Sequence, residues 1–247
     1  MPGASTPLAS TPGASTPTAS VPSDSIPSPS TPPPAAAVLF APAAAATAPS
    51  SDPPLGFTPP APGSYRLERI LQAPDGAVLD SDGSAQRLQA FTTGRITVFS
   101  FIYTYCADPQ GCPLAAATLH ALQGMLGANP RLRGQVRFVS MSFDPAFDNP
   151  AMMRSYGADD ARPGAPVPWH FLTTASNTQL APILAGFGQD VRVLASGDPA
   201  QRVPLLRHLL KVYLIDRDGV VREIYSPVYL HPRVLYNDIV TLLQQGR

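Results

Sequence analysis

Two cysteines are the entire thiol complement of this chain, and both stand in one short stretch, Cys106-Ala-Asp-Pro-Gln-Gly-Cys112. Five residues separate them, more than the two of a CxxC redox motif, but Asp108, Pro109 and Gly111 are turn formers that can fold the first thiol back over the second. Two thiols able to approach can act as a redox couple or as a pair of soft metal ligands. The polar, turn-forming residues between them describe an exposed loop and not a core. Pro113 opens an Ala/Leu-rich segment, and with it as the first helical residue Cys112 is expected at the N-cap, where the helix dipole and free N–H groups favour a thiolate.

Two thiolates leave a metal short of ligands, which directs attention to the four histidines. His120 lies eight residues past Cys112 on the same expected helix. That is about 12 Å by helical rise, too far to share an ion, and a surface position is expected. His170 falls inside the run Trp169–Thr173 and reads as a packed or edge residue, while His231 directly precedes Pro232 and reads as the start of a helix. His208 stands just before the run Lys211–Ile215, on a stretch expected to be a loop. A lone histidine of that kind is more often structural than a ligand, so the residues by themselves leave metal and redox chemistry both open.

The elements that must position these residues follow from the apolar patterning. Ile96–Ile102 is a continuous apolar and β-branched run, the pattern of a strand buried on both faces, and it leads directly into the cysteines. Leu114–Leu126 has apolar residues at Ala115, Leu119, Leu122 and Leu126, one face of a helix laid on a sheet, ended by residues 127–130. Val136–Phe143 is a second strand, which completes a βαβ unit with an expected right-handed crossover. Upstream, residues 65–71 alternate at strand period and, with turn signals at Asp75-Gly76 and Asp80–Gly83, read as a β-hairpin. Downstream come a short helix at Ala151–Tyr156, a strand at Trp169–Thr173 and a helix capped by Ser176 or Asn177 that reaches Phe187. Residues 188–207 read as loop. Lys211–Ile215 and Val220–Tyr225 flank the hairpin turn Asp216–Gly219, and Pro232 opens a terminal helix to about Gln244. The expected fold class is α/β and thioredoxin-like, a central mixed sheet flanked by helices.

Composition separates this domain from what precedes it. Of the 247 residues 31 are proline, crowded into the first quarter, and PGASTP occurs at Pro2–Pro7 and again at Pro12–Pro17. Residues 1–63 are expected to be a disordered Pro/Ala/Ser/Thr-rich tail or linker, and residues 64–247 the single folded domain. Within the tail, Ala35–Ala48 has the length and small-residue flank of a secretory signal core but no basic segment before it. It reads either as an export signal with its start upstream or as an Ala-rich linker. No run reaches the ~18 apolar residues of a membrane-spanning helix. Basic and acidic residues balance at 17 each with no basic stripe, which argues against a nucleic-acid partner. Two cysteines are too few for a disulfide scaffold or a four-thiolate zinc site.

Three segments in order, FSFIYTYCADPQGCP, SFDPAFDNP and HLLKVYLIDRDG, resemble the Sco/SenC family of copper-binding, thioredoxin-like proteins that help build the copper centre of cytochrome c oxidase. The likeness spans about residues 65–243. It rests on the Phe-x-Tyr-Thr strand end at Phe101–Thr104, the Ser-x-Asp-Pro segment at Ser142–Pro145, and a histidine five residues before Tyr213, which is His208. The resemblance implies copper as the cofactor and Cys106, Cys112 and His208 as its ligands, a soft set of two thiolates and one imidazole suited to Cu(I). The chain departs from the family in two places. The usual CxxxC is here CxxxxxC, and Arg207 stands before the histidine where the family often has Asp.

The resemblance further implies an extracytoplasmic site, in the periplasm or cell envelope, and a metallochaperone-like function. The expected protein is a monomer that hands copper or electrons to a respiratory oxidase subunit or another copper protein, with a thioredoxin-like reductant for the thiols. The alternative is a metal-independent thiol–disulfide oxidoreductase or peroxidase that cycles Cys106 and Cys112, which the longer loop favours because thiols outside ligand geometry can still form a disulfide. A thioredoxin-like adaptor with a structural disulfide is the third reading.

Overall fold

The computed structural model describes residues 55–106, 108–194 and 205–246. The chain runs through β1 (Leu71–Gln72), β2 (Ala77–Asp80), β3 (Ala85–Arg87), α1 (Gln89–Thr92), β4 (Ile96–Ile102), α2 (Cys112–Ala128) and β5 (Val136–Ser142). It continues through α3 (Pro150–Tyr156), β6 (Trp169–Thr173), α4 (Asn177–Gly186), β7 (Val191–Leu194), β8 (Leu205–His208), β9 (Val212–Ile215), β10 (Val220–Tyr225) and α5 (Pro232–Gln245). Eight strands form one sheet in the order β1-β10-β9-β4-β5-β6-β2-β3, and β7 and β8 form a separate two-stranded ribbon. The β4–β5–β6 centre is parallel, and antiparallel strands close both edges. The expected mixed sheet flanked by helices is therefore present.

All seven residues of β4 are buried, as are all seven of β5, because helices cover both faces of the sheet. Side chains alternate between those faces. Phe99 and Phe101 face α4, with Phe99 stacked on Phe187 at 4.7 Å, whereas Ser100 and Ile102 lie beneath Ala115 and Leu119 of α2. The turn Asp216–Gly219 places Gly219 at φ +80°, and the Asp216 carboxylate accepts the N–H groups of Asp218 and Val220 at 2.9 and 3.0 Å.

Two expectations about local structure are corrected. Residues 65–70 do not form a hairpin strand. Only Leu71–Gln72 is extended into the sheet, where it pairs with β10, and the hairpin is β2–β3, closed by the turn at 81–84. The alternation in 65–70 has another cause: Leu67 is buried, Tyr65 bonds to Asp238, and the charged Arg66, Glu68 and Arg69 are exposed. Residues 188–207 are not simply loop, because Val191–Leu194 and Leu205–His208 pair in register from Val191↔His208 to Leu194↔Leu205. Their runs of four residues are too short to stand out by periodicity. Of the segment assigned to the tail, residues 1–54, including the island at 35–48, lie outside the described residues. Pro60 and Gly63 lie along α5, the former accepting from Asn237 at 2.8 Å and the latter donating to Thr241 at 2.9 Å. Among the described residues no helix is long and apolar enough to cross a membrane.

Candidate thiol and metal site

Strand β4 ends at Ile102, and the next nine residues lead to α2 at the end of the sheet. One buried carboxylate fixes this loop at its root. Asp148 accepts from the Thr104 N–H at 3.1 Å, the Thr104 hydroxyl at 2.5 Å and the Ser142 hydroxyl at 2.6 Å, which ties the loop to the end of β5. A second clamp lies beside it, where the Tyr105 hydroxyl donates to Asp144 at 2.5 Å and its ring meets Phe147 at 4.8 Å. Farther along, the Gly111 N–H donates to the Asp108 carbonyl at 2.9 Å, which closes the turn. A Cβ on Gly111 would sit 3.2 Å from the Cys106 sulfur, so the absent side chain is what lets the backbone pass so close.

The loop brings the two cysteines together, as expected, but reverses their roles. Helix α2 begins at Cys112 itself with Gly111 as N-cap, and Cys112 is only 2% exposed, whereas Cys106 is half-buried. The groups that favour charge on the Cys106 sulfur are the Cys112 thiol, the Tyr103 hydroxyl and the N–H groups of Cys112 and Asp108. These donors, led by the Cys112 thiol, hold Cys106 down at about 5 from an ordinary value of 9.0. Cys112 is pushed up, first by the neighbouring Cys106 and then by burial. The thiolate therefore resides on Cys106 and not on Cys112. The sequence expectation gave the helix dipole the leading part, but one residue of offset at the helix start and the burial of Cys112 outweigh it.

A measurable consequence follows for the reduced protein. Iodoacetamide modification of Cys106 in a Cys112→Ala background loses the leading donor, so its midpoint is expected to lie above that of the intact pair, which falls near pH 5. Because the folded thiol is depressed, its contribution to stability is full above pH 9, the ordinary value, and is lost as pH falls through about 5. Thermal midpoints of the reduced protein against Cys106→Ser across that window read the same linkage.

His208 is the last residue of β8 and not part of a loop. Its ring lies 4.6 Å from that of Phe143 and 5.7 Å, edge-on, from that of Tyr103. Tyr103 thus touches both Cys106 and His208. Among the described residues no three His, Cys, Asp or Glu side chains converge into a metal-binding group, so the structure joins Cys106 and Cys112 and places His208 one aromatic ring away. The other histidines are placed elsewhere. His120 is paired with Asp160 at 2.6 Å on the surface of α2, His170 lies on β6 beside Asp80 and Phe91, and His231 caps α5 by accepting from the Arg233 N–H at 3.2 Å. Sequence reasoning missed Tyr103 and Asp148 as positioning residues. Both lie inside quoted motifs, but no spacing rule connects a carboxylate six residues past Ser142 to a hydroxyl on a different strand end.

The SCO1/SenC family profile matches residues 77–244. The chain belongs to the SCO1/SenC family. No curated protein matches it. Among solved structures, the SCO1/SenC fold is similar to Arabidopsis thaliana ScoI with copper bound, at 19% identity and TM-score 0.58, over 70% of this chain and 98% of that one. It is also similar to a SCO1/SenC family lipoprotein from Bacillus anthracis, at 23% identity and TM-score 0.56, over 72% and 96%. A third likeness is to BsSco, a Sco-family cytochrome c oxidase assembly protein in which a disulfide switch was identified, at 22% identity and TM-score 0.54, over 72% and 98%. The fold of this SCO1/SenC chain is thus thioredoxin-like, with its cysteine loop at the end of β4.

Proposed function

We propose that residues 64–247 form an extracytoplasmic copper-carrying domain, tethered through residues 1–63, that hands copper or electrons to a respiratory copper centre. Copper is its cargo, and Cys106, Cys112 and His208 are the residues that would hold it. The observation that carries this reading is the meeting of two thiols at a sheet end, with the His208 ring edge-on to Tyr103, which neighbours Cys106. Two sulfurs and an imidazole suit a soft ion, and the Cys106 thiolate is a ligand already deprotonated near neutral pH. Bound there, copper would supply a one-electron couple as well as a transferable ion. Family membership, the copper held by the Arabidopsis relative and the oxidase-assembly role of BsSco support the same reading. The Bacillus lipoprotein supports placement outside the cytoplasm. An oxidase subunit or another copper protein is the recipient that fits.

Titration of the reduced chain with Cu(I) is expected to give close to one equivalent bound. Cys106→Ala and Cys112→Ala are expected to abolish that binding, and His208→Ala to weaken it. Undiminished uptake by the His208 variant would remove the histidine from the site.

A second reading has its own support. The mutual influence of Cys112 and Cys106 and the lack of a converged three-ligand group among the described residues suit a thiol–disulfide couple that needs no metal. Oxidation of a dithiol substrate by metal-free protein favours that reading, and an inert apo form opposes it.

A further inference from the structure

The end of the sheet away from the cysteines gathers arginines from separate segments of the chain. A cleft of about 270 Å³ opens there between the residues leading into β1, the turn 216–219 and the end of α5, with the buried Ile96 and Leu242 in its wall. Arg66, Arg69, Arg217 and Arg222 line it together with Asp216 and Asp218. Arg222 is committed within the fold, since it pairs with Asp216 at 2.9 Å and donates to the carbonyls of Leu67 and Glu68. Three guanidiniums then face one remaining carboxylate, that of Asp218. Arg66 and Arg69 are exposed, and neither side chain makes a hydrogen bond or ion pair with the described residues, while Arg217 gives one N–H to Gln135. A neutral donor stands in the same wall. Gln245 accepts from Arg222 at 3.3 Å through its Oε1, which leaves its amide nitrogen buried with no partner among the described residues. Arg217 also lines an adjoining cleft with Arg131, where no carboxylate is found among the described residues. Glu68 and Arg95, the charged residues next to these in the chain, line neither cleft and offset each other.

We propose that this arginine cleft binds a phosphate group, either free or as the headgroup of an anionic lipid. An arginine fork takes phosphate oxygens two at a time, and a tetrahedral oxyanion can share its oxygens among several forks, whereas one fork satisfies a carboxylate. The apolar wall of Ile96 and Leu242 keeps water from screening the guanidinium charges on that side. The five arginines stand at positions 66, 69, 131, 217 and 222, so no basic stripe runs in the sequence and only the fold collects them. The seven residues of β4 separate this cleft from the cysteine loop by roughly 20 Å. A domain held by this end on a phosphate-bearing surface keeps Cys106 at its far end.

In the test, the full chain is titrated with inorganic phosphate and, separately, sedimented with vesicles of phosphatidylglycerol and phosphatidylcholine. Saturable binding to at least one probe is expected, weakening as NaCl rises from about 0.05 to about 0.5 M. Arg66→Gln with Arg69→Gln is expected to weaken it at least about tenfold. Asp218→Asn removes the opposing carboxylate and is expected to strengthen it about threefold, a gain that damage to the fold does not imitate. Arg154→Gln with Arg162→Gln removes the same charge beside Ser81, at the opposite edge of the sheet, and is expected to change binding by less than about twofold. Vesicle binding that inorganic phosphate displaces assigns a lipid headgroup, phosphate binding without vesicle binding assigns the free anion, and either supports the site. Binding to neither probe, or an equal loss in the two double variants, overturns the proposal. Copper stoichiometry of the Arg66→Gln/Arg69→Gln chain is expected to match that of the parent, which keeps this result separate from the copper reading.

Discussion

Asp148→Ala is expected to cost about 3 kcal/mol of stability and to loosen the cysteine loop at its root, since each buried donor left unsatisfied costs roughly 1–3 kcal/mol. Asp148 is fully buried, and its carboxylate alone joins the Thr104 N–H, the Thr104 hydroxyl and the Ser142 hydroxyl. Alanine leaves the backbone N–H without an acceptor two residues before Cys106, although the two hydroxyls can rotate toward other partners. The loss is partly offset because the carboxyl itself is held in an unfavourable place. Burial pushes it above its ordinary value, and this outweighs the lowering by its three bonds. A raised folded value means that its contribution is full below the ordinary carboxylate range and is lost as pH rises through the folded value. Acid therefore does not weaken this clamp. Asp148→Asn, which keeps an acceptor for Thr104 and removes the buried charge, is expected to be mild at neutral pH. Urea unfolding measures the stability difference, and hydrogen exchange of residues 103–112 measures the loosening. A loop as protected in the Ala variant as in the parent would show that Asp148 does not anchor it.

What the sequence disclosed, and what it concealed, follows from how far apart the interacting residues lie. The run Ile96–Ile102 reads as a doubly buried strand because its own composition says so, and the structure bears this out residue for residue. The same holds for Trp169–Thr173, for the hairpin at Asp216–Gly219 and for the Ser176 cap, whose hydroxyl accepts from the Gln179 N–H. Local signals report local structure. The proximity of the two thiols was also legible, from turn formers in a five-residue gap. Which thiol is ionised was not, because it depends on Cys112 being covered by the sheet and on Tyr103 reaching across to Cys106. The β7–β8 ribbon was hidden for a related reason. Its strands are four residues each, and their pairing, which places His208 beside Phe143, is a contact that periodicity does not record.

Phe99→Ala carries the other large expected effect, a loss of about 3–5 kcal/mol, as for truncation of a well-packed aromatic. Phe99 is fully buried at the centre of the sheet, stacked on Phe187 at 4.7 Å and edge-on to Phe101 at 5.0 Å. The cavity so created opens on the α4 face, opposite the wall formed by Cys112. Its effect travels toward the histidine and not toward the thiols. Phe187 and Gln189 hold the Tyr213 hydroxyl at 3.1 and 3.3 Å, and Gln189 in turn donates to the carbonyl of Leu209 at 3.1 Å, next to His208. Loosening Phe187 therefore slackens the backbone that carries the imidazole while leaving the loop held by Asp148. Phe99→Leu, which refills part of the volume, should recover most of the loss. Denaturant unfolding checks the magnitude. The direction of transmission is checked by Cu(I) affinity: a Phe99→Ala protein studied well below its unfolding midpoint is expected to resemble the His208 variant, with binding weakened but retained. Complete loss of binding in the folded Phe99→Ala protein would mean that the sheet core supports the thiols directly.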